Sequence, residues 1–151
     1  KTIHGVYDKI GAAKLENKSV RFDAIRRSLY ILSARHKNML IEGAGGVAVP
    51  VCGKKTMIDI MKLADLPVLV VARSTLGTIN HTLLTVEHLR RNCLSVAGIV
   101  FNPVADDSNG VFQMVKSEIV KLSGVKLCVE MGVVGRGVSH SFGGLLKFFR
   151  K

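Results

Sequence analysis

Residues 67–102, PVLVVARSTLGTINHTLLTVEHLRRNCLSVAGIVFN, decide the fold. Val68-Leu69-Val70-Val71 is a continuous, largely β-branched run, the composition of a parallel strand covered on both faces. A polar loop, Arg73-Ser74-Thr75-Leu76-Gly77, leads to Thr78, a residue type that caps helix N-termini. From Ile79 to about Arg91, Leu83, Leu84, Val86 and Leu89 supply the apolar side of a helix. Val96 to Phe101 is a second apolar run, and Asn102-Pro103 ends it. Strand, crossover helix and strand in this order call for a parallel α/β sheet.

The same alternation extends outward. Toward the N-terminus, Phe22, Ile25, Leu29 and Leu32 recur near a 3.6-residue period and predict a helix. Asn38-Met39-Leu40-Ile41 reads as a short buried strand that stops in the glycine turn Glu42-Gly43-Ala44-Gly45-Gly46, and Val47 to Val51 as a brief extended piece. Thr56 can cap a short helix to about Leu63, which Asp65-Leu66-Pro67 terminates. Toward the C-terminus the pattern predicts a loop from Asn102 to Gly110, a helix from about Val111 to Leu122 ended by Gly124, a strand from Val125 to Val129, and a last helix over Gly144 to Arg150. No internal repeat and no linker divides the chain, so 151 residues predict a single domain.

In open sheets of this kind, ligands bind beyond the carboxyl ends of the strands. Three such ends are expected on one rim: Glu42 to Gly46, Arg73 to Thr78, and Asn102-Pro103. A carboxylate beside bare glycines can ligate Mg²⁺ while glycine N–H groups approach phosphate oxygens; an ordinary tight turn explains the same residues. The helix start at Leu76-Gly77-Thr78-Ile79-Asn80 offers free N–H groups and the positive end of a dipole to an anion such as a substrate carboxylate; a simple capped helix is the bland alternative. His81, in that helix's first turn, reads as a surface or packing residue rather than a base. Asn102 has the donors and the acceptor to read an adenine edge, though asparagine often merely opens a turn.

Composition narrows the remaining classes. The formal charge of +11 would attract polyanions, but the basic pairs Arg26-Arg27, Lys54-Lys55 and Arg90-Arg91 are dispersed, and two Tyr and six Phe give little for base stacking. Solvated surface charge is the expectation, not a nucleic-acid module. Cys52, Cys93 and Cys128 lack paired spacing for a disulfide framework or a zinc site; Cys93 and Cys128 fall in predicted apolar elements, as small hydrophobes would. No apolar run approaches the roughly 18 residues of a membrane span, and the first 19 residues contain no apolar stretch of the secretory kind, which predicts a soluble cytoplasmic protein.

Taken in order, Ile41-Glu42-Gly43-Ala44-Gly45-Gly46, Val49-Pro50-Val51, Thr56-Met57-Ile58-Asp59, Leu66 to Val71, Leu76-Gly77-Thr78-Ile79-Asn80-His81 with Leu83-Leu84-Thr85, and Ala97 to Asn102 form a series that closely resembles the dethiobiotin synthetase family. The resemblance covers residues 20–103 well and the remainder loosely. It implies a P-loop NTPase-like three-layer fold with a mostly parallel sheet. It also implies a homodimer that forms the ureido ring of dethiobiotin from 7,8-diaminononanoate and CO₂ with ATP and Mg²⁺. One amine becomes a carbamate, ATP phosphorylates it, and the second amine closes the ring with loss of phosphate.

By the same resemblance Glu42 is a Mg²⁺ ligand; Gly43, Ala44 and Gly45 line the nucleotide site; Asn102, with Pro103 beside it, contacts adenine; and Leu76, Gly77, Thr78, Ile79 and Asn80 receive the substrate carboxylate at a subunit interface. The chain departs from the family in two respects. Nothing in it matches G-x-x-x-x-G-K-[ST], the loop that cradles phosphates and is followed in the family by a functional lysine, so no catalytic residue is assigned. Met131-Gly132-Val133 also stands where the family has a proline-containing segment bordering the base. The expectation is a fragment covering the C-terminal two-thirds of the family, without its N-terminal strand and phosphate loop. Such a fragment would be inactive alone and poorly stable or prone to aggregate. A nucleotide-binding or regulatory relative from the cobyrinic-acid amidase or partitioning-ATPase branches is the alternative.

Overall fold

The computed structural model describes residues 19–103 and 110–131. Packing falls into two compact units divided between Leu66 and Pro67.

In the first unit, α1 (Phe22–Arg35) matches the predicted helix. Its stripe is half-buried at Phe22, Ile25 and Leu29, and no residue of it is fully buried. The short strands β1 (Pro50–Cys52) and β2 (Lys55–Thr56) pair antiparallel around Gly53, whose φ of +54° is a conformation that suits glycine. Helix α2 (Met57–Ala64) follows, with Thr56 as N-cap as its sequence predicts. The Asp59 carboxylate accepts a hydrogen bond from the Thr56 N–H at 2.8 Å, the back-bond of a capping box. Asp65 closes the helix in a left-handed conformation, φ +49°. The carbonyls of Val49 and Val47 accept from the N–H groups of Met57 and Ile58, tying the loop after the glycines to the start of α2.

The strand expected over Asn38–Ile41 is not formed. Residues 39–43 carry no ladder, and Leu40 is 81% exposed. An apolar tetrapeptide becomes a strand only when a neighbour takes its N–H and C=O groups. Among the described residues of this unit the one ladder is β1–β2.

The second unit is the crossover fold that residues 67–102 predict. Strands β3 (Val68–Arg73), β4 (Val96–Asn102) and β5 (Cys128–Glu130) form a parallel sheet in that order, with α3 (Thr78–Arg91) and α4 (Val111–Ser123) as the connecting helices. The register pairs Val71 with Val100, Arg73 with Asn102, and Phe101 with Glu130. Central β4 is buried on both faces at Ile99, Val100 and Phe101, while β3, outermost among the described strands of this sheet, buries Val70 and Ala72 and leaves Val71 59% exposed.

The core joins Phe101, Leu89, Ile99 and Ile119, none of which retains measurable exposure. The Phe101 and Phe112 rings meet edge to face, centroids 6.0 Å apart and planes at 75°. Arg90 donates to the Ser123 carbonyl at 2.7 Å, so α3 supplies a cation to the C-terminal end of α4, and Gly124, φ +62°, ends that helix as predicted.

The extended piece expected over Val47 to Val51 is a strand at Pro50–Cys52, and two further readings differ from expectation. Strand β5 begins at Cys128 rather than Val125, because the turn after Gly124 uses Val125: its N–H donates to Ser123 Oγ. Cys93 lies outside any apolar element; it is exposed, with φ +59°, in the turn after α3. Cys52 and Cys128 are half-buried free thiols, and burial pushes the Cys128 thiol up from its ordinary value. The predicted helix at Gly144–Arg150 and the loop residues 104–109 lie outside the described residues. No helix among the described residues is long and apolar enough to cross a membrane.

Candidate functional site

A parallel sheet sends every carboxyl end to one edge, and the register makes that edge explicit. Arg73 at the end of β3 sits opposite Asn102 at the end of β4, and Glu130 closes β5 opposite Phe101. Two of the three sequence-predicted loops, Arg73–Thr78 and Asn102-Pro103, therefore lie on one rim of the second unit.

The first of these loops is a tight turn rather than a side-chain cap. The expected N-cap, Thr78, is instead the first helical residue and is buried. The cap is Gly77, with φ +85°, and no side chain caps the helix. That left-handed value is strained for a β-branched residue, so the cap falls on the glycine. The Thr78 N–H donates to the Thr75 carbonyl at 3.1 Å, and the His81 N–H to the Gly77 carbonyl at 3.0 Å. The N–H groups of Ile79 and Asn80 have no acceptor among the described residues, which leaves two donors at the positive end of a 14-residue helix. Leu76 is fully exposed at the tip, Ile79 is half-buried and Asn80 is exposed. This is the geometry that accepts a carboxylate or phosphate.

Asn102 is exposed at the end of β4, its amide free of any hydrogen bond among the described residues, and Pro103 beside it is half-buried. The main-chain position beneath it is rigid, since Phe101 is fully buried and its carbonyl accepts from the Met131 N–H at 2.8 Å. Sequence reasoning passed over Glu130, a carboxylate at a third strand end. Its carboxylate accepts from Lys116 Nζ at 2.5 Å and Gln113 Nε2 at 3.1 Å, which ties β5 to α4. The legible signal was an acid directly after the apolar run Leu127-Cys128-Val129, the same pattern that singles out Glu42.

The third predicted loop belongs to the first unit. Glu42 is exposed and has no ion-pair partner among the described residues, so its carboxylate faces solvent as a cation ligand would. Gly43 packs over Met57: a Cβ there would meet Met57 Cγ and Sδ at 3.4 Å. Gly45 has φ +80°, and a Cβ on it would lie 2.9 Å from Val49 Cγ2, so the turn requires glycine twice over. Ala44 and Gly46 are exposed. No group of three or more His, Cys, Asp or Glu is gathered among the described residues. A lone carboxylate fits Mg²⁺, which keeps water and substrate phosphates as its other ligands, better than it fits a cation caged by protein.

The model of the family described as AAA domain (AAA_26) matches residues 3–132. A protein of Anaeromyxobacter dehalogenans described as ATP-dependent dethiobiotin synthetase BioD is 43% identical over 112 residues, which cover 74% of this chain and 50% of that protein. Proteins of the same description from Methanocaldococcus jannaschii (39% over 105 residues, 67% of this chain and 49% of the relative) and Methanococcus aeolicus (44% over 92 residues, 60% and 43%) are also similar. The chain spans about half the length of the curated relatives it matches. With its parallel sheet, its strand-end loops and this match over most of its length, the chain belongs to the AAA_26 family of P-loop NTPase-like AAA domains and is a relative of the ATP-dependent dethiobiotin synthetases.

Proposed function

We propose that this chain carries the base-, substrate- and metal-contacting part of an ATP-dependent dethiobiotin synthetase, which closes the ureido ring of dethiobiotin from 7,8-diaminononanoate and CO₂ in biotin formation. The observation that carries the reading is the pairing of Arg73 with Asn102. It puts a helix start without a side-chain cap and an amide with no hydrogen bond among the described residues on one sheet rim, in a chain related to enzymes of that name. On this reading the Asn102 amide, with Pro103 beside it, meets the edge of adenine. The Ile79 and Asn80 N–H groups, within the Leu76–Asn80 turn, donate to the substrate carboxylate. Glu42 holds Mg²⁺, and Gly43, Ala44 and Gly45 let phosphates approach the main chain. Bound Mg²⁺ supplies charge neutralisation at those phosphates.

The single family match across residues 3–132 supports treating both units as parts of one domain, and the reading includes a homodimer working in the cytoplasm. Because the 151 residues contain no G-x-x-x-x-G-K-[ST], they are expected to bind without turning over. The second reading is a nucleotide-binding or regulatory relative without synthetase activity.

Amide NMR titration tests the proposal. ATP with Mg²⁺ should shift signals at Asn102 and at residues 42–45. Asn102→Ala should weaken ATP binding about tenfold, and Glu42→Gln should remove its Mg²⁺ dependence. ATP-induced shifts that avoid both loops would overturn the site. Shifts from ATP with none from 7,8-diaminononanoate at residues 76–80 would favour the regulatory relative.

A further inference from the structure

The turn at the start of α3 has a second component that the proposed function does not use. Gly77 lacks a side chain, and the space its Cβ would fill is taken by the His81 ring: the Cβ position lies 3.3 Å from Cε1, 3.7 Å from Nδ1 and 3.8 Å from Nε2. The same two residues are joined through the main chain, His81 N–H to Gly77 carbonyl at 3.0 Å. A side chain one turn into a helix leans back toward the N-terminus, so residue 81 is the position that reaches the cap. Glycine at φ +85° loses the most conformational freedom on ordering, and the fully exposed Leu76 beside it packs on nothing that would hold the turn. The imidazole supplies that contact.

We propose that His81 is a positioning residue: by seating its ring on Gly77 it holds the Leu76–Asn80 turn in the conformation that aims the Ile79 and Asn80 N–H groups, and thereby sets preference for a substrate with a carboxylate at that end. The inference rests on the reading of this turn as a carboxylate site. It assigns the ring a steric role, so another flat ring should replace it while an aliphatic stub should not. Two donors held at fixed spacing bind an anion better than two donors on a loose turn, because the ordering cost is met before the ligand arrives.

The test uses the whole chain and two probes, 7,8-diaminononanoate and its methyl ester, titrated while the Ile79 and Asn80 amide signals are followed. The unaltered chain should bind the acid more tightly than the ester. His81→Ala should weaken the acid about tenfold, leave the ester unchanged, and so erase the preference. His81→Phe should restore it. Equal binding of acid and ester by the unaltered chain would remove the carboxylate site itself, and the inference with it. A clear acid preference that survives in His81→Ala would overturn the inference and leave the site standing. A preference lost in both variants would show that the imidazole acts as a donor and not as a packing ring, which also overturns it. Thermal melts of both variants, expected to match the unaltered chain because His81 is exposed, separate these outcomes from unfolding.

Discussion

Phe101 offers the sharpest test of how the second unit holds its rim. Its side chain has no measurable exposure, and its ring meets Phe112 of α4 edge-on at 6.0 Å. Truncation to alanine removes buried apolar surface and leaves a cavity between β4 and α4, which costs about 3–5 kcal/mol. Part of that belongs to the aromatic pair, about 0.5–1.5 kcal/mol beyond area burial. Leucine separates the two contributions, since Phe101→Leu and Phe112→Leu each keep an apolar side chain and lose the edge-to-face contact. A double-mutant cycle, read from urea unfolding by far-UV circular dichroism, should return a coupling of about 0.5–1.5 kcal/mol. A double variant whose loss equals the sum of the singles within about 0.3 kcal/mol would refute the claim that the ring pair ties β4 to α4. It would equally undermine the view that Asn102 stands on a rigid base.

Two further predictions concern the first unit. Gly45→Ala should destabilise by about 1–2 kcal/mol through its left-handed backbone, with the Val49 contact at 2.9 Å adding to the loss; Gly46→Ala, where the space is open, should be near neutral in the same unfolding assay. The Asp59 carboxyl is held below its ordinary value of 3.8, first by the Thr56 N–H and then by Lys55. Its contribution is therefore complete above that ordinary value and is lost as pH falls through the lower folded value. Asp59→Ala should cost about 1 kcal/mol at neutral pH, and its unfolding midpoint should converge with that of the unaltered chain on acidification. A gap that widens as pH falls would contradict the assignment.

How far the sequence carried the reading depended on whether the deciding interactions were local. Helices α1 to α4 were legible because their apolar residues recur at helical spacing and their stops, Asp65-Leu66-Pro67 and Gly124, act within a turn. Strands β3 and β4 were legible because a run buried on both faces has to be apolar throughout. The segment at Asn38–Ile41 has the same composition and forms no strand, since pairing depends on a partner distant in sequence. Glu42 and Asn102 stood out as polar residues at the tips of apolar runs; Glu130 has the same signature, directly after the predicted strand Val125 to Val129, and its place on the rim became visible only from the pairing of β5 with β4.

By itself the sequence determined the crossover order, the parallel sense of β3 and β4, and the family. These follow from periodicity, from the length of the connections and from a specific order of short motifs. Tertiary structure alone decided that Arg73 faces Asn102, that Gly77 and not Thr78 caps α3, and that the His81 ring lies on that glycine. The reason is physical: register, cap geometry and ring packing are set by atoms that meet only after the chain has folded, and no local pattern of residue types encodes those meetings.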